Sequence, residues 1–181
     1  MLKIDLINNV SVIKRLALLQ FVLFLSLILI SYKIIGNFVY IYEEGVFINF
    51  GLGILGLIVL IFIHELIHGI CFKIFNPSAK VKYGYMKGMV YATMPNTVFT
   101  RRQFYIILLS PFIIISLGLL VILLWLQVSP IIYIFAFHGA ACIGDFYMAQ
   151  VIYSNKQMMY IEDTDVGINL FAESRDLPTT N

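Results

Sequence analysis

The sequence predicts an all-α membrane protein with about four transmembrane helices and a short β-hairpin in its longest loop. Hydrophobic residues make up 61% of the 181 residues and charged residues only 12%, whereas a soluble domain is about half apolar and about a quarter charged. Four long apolar runs approach the roughly 20 residues that a spanning helix needs. The formal net charge of +2 is too small to indicate a nucleic-acid partner. The expected surroundings of the chain are therefore a lipid bilayer.

The predicted helices follow these apolar runs along the chain. Lys14 and Arg15 precede the first run as in a signal peptide, but no small-residue cleavage site follows it, so a retained anchor is expected. The second run continues helically through a polar motif, and Pro111 is expected to kink the third. Only residues 127–130 separate the third run from the fourth, which predicts an antiparallel hairpin. The four helices are predicted over residues 16–32, 46–75, 103–130 and 130–153.

The basic residues predict the orientation of the chain in the membrane. Six of them lie within residues 73–102, from the end of helix two to the start of helix three, whereas loop one holds Lys33 as well as Glu43 and Glu44. Cytoplasmic loops carry an excess of Lys and Arg. The N-terminus, the long loop and the C-terminus are therefore predicted to be cytoplasmic, in a multi-pass protein of the cell membrane.

Two further segments and one glycine pattern complete the predicted architecture. The loop at residues 76–100 contains two strand-like runs, which predict a hairpin turning near Met86-Lys87-Gly88, with an irregular interfacial loop as the alternative. Residues 154–181 hold half of the acidic residues and are predicted to form a partly disordered cytoplasmic tail. The G-x-G-x-x-G pattern at residues 51–56 lacks a strand-helix unit, so close helix packing is expected there. Residues 1–153 would form the membrane-embedded domain.

Five ionisable residues lie inside the predicted spans, where such residues are costly and indicate function. They are His64, Glu65, His68, His138 and Asp145. His64 and His68 are four residues apart, so both imidazoles share one helix face and are able to bind one metal ion. Glu65 lies beside them, which gives the H-E-x-x-H arrangement of zinc peptidases.

A tetrahedral zinc site with two histidines needs a third protein ligand. Asp145 is preferred to His138 because its charge, together with that of Glu65, neutralises zinc, and a neutral cluster is far cheaper in hydrocarbon than its parts. Asp145 also lies about 10 Å nearer than His138 to the cytoplasmic end of helix four, and so closer in depth to His68. A site of three histidines with Asp145 as the outer residue that orients them stays open. A thiolate ligand from Cys71 or Cys142 also stays open.

The combination of the HELIHG run at residues 64–69 with Gly144-Asp145 in a later span resembles the putative zincin peptidase family of small bacterial membrane proteins. The resemblance extends over roughly residues 61–153, including Ser110-Pro111, and the chain is more distantly similar to site-2 proteases. It implies that His64, His68 and Asp145 are metal ligands and that Glu65 is the catalytic base. It also implies a metallopeptidase-like domain at residues 1–153.

The function predicted from these residues is that of an intramembrane zinc metalloprotease. Zinc lowers the pKa of its water to about 7 and polarises the substrate carbonyl. Glu65 would take the proton of the zinc-bound water and pass it to the leaving amine. The expected partners are the bilayer and a peptide or membrane-protein substrate, which an exposed edge of the 81–94 segment would hold by strand addition. The rivals are a non-catalytic membrane protein that binds or transports metal, and a catalytically silent partner whose motif only supports folding.

Overall fold

The computed structural model describes residues 1–5, 9–86, 89–164 and 167–173, and the chain is mostly helical over these ranges. The helices are α1 (Val10–Ile35), α2 (Val46–Phe75), α3 (Arg101–Leu126), α4 (Pro130–Ala141) and α5 (Ile143–Ser154). The strands are β1 (Leu2–Asp5), β2 (Lys82–Met86), β3 (Met89–Thr93), β4 (Val98–Thr100), β5 (Tyr160–Thr164) and β6 (Gly167–Phe171). The predicted all-α class is therefore too simple, because six short strands accompany the helices.

Three helices of the described chain, α1, α2 and α3, are long and apolar enough to cross a membrane. The pair α4 and α5 also passes this test when taken together, although it is bent, so the number of candidate spans is three or four. This indicates a membrane protein, and the count of four spans stays a prediction. Helix α2 has the predicted bounds and carries the H-E-x-x-H run without interruption.

The predicted fourth helix, residues 130–153, consists of two helices that meet at Cys142. The ψ angle of Cys142 is 6°, whereas an α-helix has ψ near −42°. Gly139 and Gly144 flank the break, and glycine is a poor helix former. The prediction of one continuous helix over residues 130–153 is therefore wrong, and His138 and Asp145 belong to α4 and α5 respectively.

The chain divides into two compact units, which are named here by their content. The sheet unit comprises Met1–Lys14, Glu65–Pro111 and Gly144–Asn181, and the helix unit comprises Arg15–His64 and Phe112–Ile143. Helix α2 contributes to both units, because the boundary falls between His64 and Glu65. Each unit is described separately below.

The sheet unit contains a four-stranded antiparallel sheet in the order β1-β6-β5-β4. Strands β5 and β6 come from the segment that was predicted to be a partly disordered tail. They are ordered here because Ile161, Ile168 and Leu170 are completely buried in the core of the unit. Composition alone did not reveal these strands, because each is only five residues long and acidic residues lie in and between them. Residues 174–181 lie outside the described part of the chain.

A second, two-stranded sheet lies in the long loop. Strands β2 and β3 pair antiparallel from Lys82↔Thr93 to Met86↔Met89. The predicted turn residues Lys87 and Gly88 lie outside the described residues, and the cytoplasmic position of the hairpin stays a prediction.

In the helix unit, two glycines of the 51–56 pattern bring α2 close to α4. A β-carbon at Gly53 would lie 2.9 Å from the ring of Phe137, and one at Gly56 would lie 2.6 Å from Ile134. Both distances are shorter than van der Waals contact allows. Close helix packing therefore accounts for these two glycines, whereas a β-carbon at Gly51 would meet nothing within 4 Å.

Candidate metal centre

Helix α2 presents the motif histidines one turn apart. His64 and His68 both lie within its unbroken run, and residues four apart fall on the same helix face. The next residue, Gly69, lies under strand β2, where a β-carbon would overlap the hydroxyl of Tyr83. In the sheet unit, the end of the motif therefore packs directly against the two-stranded sheet.

The contacts of His68 in the sheet unit fix the tautomer of its neutral ring. Its Nδ1 lies 2.9 Å from the backbone carbonyl oxygen of Ile107, which only accepts, so Nδ1 carries the proton and donates. The lone pair of the neutral ring is then on Nε2, and Nε2 lies 3.6 Å from Oδ1 of Asp145. Hydrogen bonding of one ring nitrogen to a carbonyl is the usual way in which proteins orient a histidine ligand.

The His68–Asp145 pair fits a metal ion. Its 3.6 Å separation exceeds the 2.7–3.2 Å range of an N–H···O hydrogen bond. Two ligand atoms of a tetrahedral zinc ion, with bonds of about 2.0–2.2 Å, lie about 3.4 Å apart. Both side chains are shielded, with relative exposures of 8% and 12%. A ring lone pair and a carboxylate that face each other in such surroundings make a good donor set for a cation.

Glu65 belongs to the same unit and is half-buried. It lies close enough to His68 for the charges of the two side chains to interact. A carboxylate beside a metal-binding histidine is a suitable acceptor for the proton of a reacting water molecule.

A second group of candidate ligands lies within the helix unit. His64 Nδ1 is 3.2 Å from His138 Nε2. Cys142 Sγ is 3.8 Å from His64 Nδ1 and 3.7 Å from His138 Nε2. His138 and Cys142 are each only 1% exposed. The structure therefore pairs His138 with His64 and adds Cys142, which the sequence offered only as one alternative ligand among several.

Asp163 in β5 is a candidate that the sequence analysis missed. Desolvation raises the pKa of its carboxyl from 3.8 to about 7, although the nearby His68 opposes the rise. Nothing in the sequence pattern marks this aspartate, since it lies in an acidic segment that was predicted to be a tail. It places a third carboxyl group close to His68 in the sheet unit.

The chain thus combines helices that are long and apolar enough to cross a membrane with buried groups of His, Asp and Cys side chains of the kinds that bind metal ions. A profile of the family described as putative zincin peptidase matches residues 57–160, which is more than half of the chain. The chain therefore belongs to the putative zincin peptidase family. Comparison with curated proteins and with solved structures finds no match. Family membership suggests a metallopeptidase and implies zinc.

Proposed function

We propose that the protein is an intramembrane zinc metalloprotease that hydrolyses peptide bonds of a membrane or membrane-associated substrate. The observation that carries the proposal is the arrangement around His68. Its Nδ1 is held by the Ile107 carbonyl, and its Nε2 faces the Asp145 carboxylate at 3.6 Å. This arrangement occurs in a chain of the zincin family, beside the glutamate that H-E-x-x-H chemistry requires.

The zinc ligands in this proposal are His64, His68 and Asp145. The spacing of the two histidines on α2 supports their acting together, and the His68–Asp145 contact supports the choice of the aspartate. Charge supports it as well. Two carboxylates, Asp145 and Glu65, balance the double charge of zinc, and a neutral set costs far less to bury than an isolated ion.

The chain's own residues carry out the proton transfers of the proposed reaction. Zinc, when bound, lowers the pKa of a water molecule and polarises a substrate carbonyl. Glu65 accepts the proton of the attacking water and later delivers it to the amine that leaves. The Ile107 carbonyl keeps the His68 ring in one tautomer and one orientation. Loss of such an orienting contact typically costs a metal site 10–100-fold in affinity or activity.

Strand β2 is the proposed docking site of the substrate. Within the described chain it pairs with β3 on one side only. An extended peptide is able to add to the other edge through main-chain hydrogen bonds. Tyr83 fixes the strand against Gly69, the residue that follows His68. A peptide added there would therefore lie close to the end of the motif.

The proposed orientation is that of the positive-inside rule, with the N-terminus, the β2–β3 loop and the C-terminus in the cytoplasm. It is supported by six basic residues, three in the loop between α2 and α3 and three in the adjoining turns of the two helices: Lys73, Lys80, Lys82, Lys87, Arg101 and Arg102. With this orientation the motif lies toward the cytoplasmic end of α2, and the substrate would be cut near that face of the membrane.

The decisive experiment compares the wild type with Glu65→Gln in native membranes, by sequencing the new N-termini of membrane proteins. Glutamine keeps the size and polarity of the side chain but does not accept the proton. Cleavage products should disappear from the Glu65→Gln membranes and persist with Glu44→Gln, a matched change outside the motif.

The same experiment separates the proposal from its rival. A protein that only binds or transports metal would show the same N-termini with either variant. Identical cleavage products in wild type and Glu65→Gln would contradict the proposed general base.

A further inference from the structure

In the helix unit, three potential metal-ligand atoms lie close together, and only one of their residues, His64, takes part in the proposed reaction. They are Nδ1 of His64, Nε2 of His138 and Sγ of Cys142. The geometry points to a second metal-binding site, the thiolate site, which these three atoms form. It takes a thiophilic ion of the zinc class. It lies within one unit of the fold and needs no residue of the other.

The distances between the three atoms match a face of a zinc tetrahedron. Zinc binds histidine nitrogen at about 2.0–2.1 Å and cysteine sulfur at about 2.3 Å, so nitrogen atoms should lie about 3.4 Å apart and nitrogen and sulfur about 3.6 Å. The structure has 3.2 Å between the two nitrogens, and 3.8 Å and 3.7 Å from the sulfur to each of them. All three edges therefore agree with the expected values to about 0.2 Å.

Local folding explains how α4 supplies two of the ligands. His138 and Cys142 are four residues apart at the C-terminal end of the helix, so they project from one face. Cys142 terminates α4, and its thiol lies 3.2 Å from the His138 carbonyl oxygen. Gly139 allows Leu27 to pack closely, since a β-carbon there would lie 2.7 Å from the Leu27 side chain. Burial to 1% exposure keeps His138 and Cys142 away from bulk water.

Binding is a ligand exchange that involves no oxidation or reduction. The Cys142 thiol loses its proton to solvent as the sulfur binds the ion, and the two neutral imidazoles donate their lone pairs. With zinc the set carries one net positive charge, because a single thiolate opposes two. Thiolate ligation selects zinc and softer ions over calcium or magnesium.

If the proposed function is correct, His64 belongs to both the thiolate site and the zinc site of the protease. A neutral imidazole has one lone pair, so His64 is not able to serve both ions with that pair. When Nδ1 binds the thiolate-site ion, Nε2 carries the proton and is lost as a ligand. One ion per chain is therefore expected, held either in the thiolate site or by His64, His68 and Asp145.

The test uses the full chain in detergent, stripped of metal and titrated with Co²⁺, which replaces zinc and is visible by absorption. The wild type and the Asp145→Ala variant are compared, since loss of Asp145 should shift the ion to the thiolate site. The proposal expects a near-ultraviolet band for thiolate-to-cobalt charge transfer, stronger in Asp145→Ala. The band should vanish in Cys142→Ser and persist in Cys71→Ser, a matched change at the other buried cysteine.

Absence of the band from both wild type and Asp145→Ala would overturn the proposal, and so would equal loss in the two cysteine variants. If Cys142→Ser does not fold, X-ray absorption of zinc-loaded Asp145→Ala decides. A sulfur neighbour at about 2.3 Å supports the site, and nitrogen and oxygen neighbours alone refute it. Neither readout depends on proteolysis. A charge-transfer band in a protein that shows no Glu65-dependent cleavage would support the thiolate site and contradict only the proposed proteolytic function.

Discussion

The carboxyl of Asp163 should make the stability of the protein fall between about pH 4 and pH 7. Its pKa is 3.8 in the unfolded chain and about 7 in the folded one. Between these values the folded protein keeps a proton that the unfolded chain has lost, which favours folding at the acidic end. The stabilising contribution of this carboxyl group is therefore fully present below about pH 4 and is lost as the pH rises through 7, where the fold must hold a partly buried charge.

The size of this effect follows from the shift. About three pH units, at 1.36 kcal/mol each, set an upper limit of about 4 kcal/mol. In a chain of this length 1 kcal/mol moves the melting temperature by about 2–4 °C, so a fall on the order of 10 °C is the largest expected. Asp163→Asn keeps a polar side chain of the same size and removes the charge. The variant should match the wild type near pH 4 and melt several degrees higher at pH 8.

Thermal unfolding of the metal-free protein in detergent measures this difference across the pH range. Glu162→Gln is the control, because it makes the same chemical change one residue away in the same strand. Melting curves of wild type and Asp163→Asn that stay parallel from pH 4 to pH 8 would refute the assignment of the effect to this carboxyl group.

Three further predictions concern the metal, the substrate strand and the orientation. His64→Ala should lose zinc altogether, because both proposed sites use this ring; metal analysis that finds zinc retained would exclude His64 as a ligand. Gly69→Ala should keep zinc but lose most cleavage by displacing Tyr83, and the double variant with Tyr83→Ala should regain part of it if the overlap is the cause. Reporter fusions after Glu44 should lie outside, and those after Lys87 and Asn181 inside. An outside signal after Lys87 would reverse the proposed orientation.

The long apolar runs made the helices predictable, whereas the strands were harder to recognise. Helix α2 has the bounds expected from its uncharged run and the motif that continues it. The break at Cys142 was not predicted, because alternating apolar and small residues suit one long helix as well as two short ones. Strands β1, β5 and β6 are short, and their pairing joins the two ends of the chain, so no local pattern reveals it.

The sequence predicted which residues are candidate ligands, but not which of them lie together in one site. Ionisable residues in apolar runs are conspicuous, so His64, Glu65, His68, His138 and Asp145 all emerged from the sequence. Their contacts depend on which helices pack together, which a single sequence does not specify. Cys142 illustrates the difference, since a cysteine in an apolar run has the composition of an ordinary core residue. Only its distances to two imidazole nitrogens indicate that it is a candidate ligand.

Removal of the metal should destabilise the fold, and the charges in the sheet unit explain why. Without a cation, the carboxylates of Glu65 and Asp145 lie close to His68 with no metal charge to offset them, and the Asp163 carboxyl group lies near the same histidine. A bound divalent ion offsets two of these charges and links residues that are far apart in sequence. A ligand present at 1,000 times its Kd stabilises the folded state by about 4.1 kcal/mol.

The corresponding measurement is the melting temperature with and without a chelator, at pH 8. We expect the chelator to lower it by on the order of 10 °C in the wild type. Glu65→Gln removes one of the charges without removing a ligand, so the chelator should have a smaller effect on this variant. His64→Ala should not respond, because it binds no zinc. If the chelator leaves the wild type unchanged, metal binding does not contribute to the stability of this fold, and the charge-balance argument for the zinc site fails.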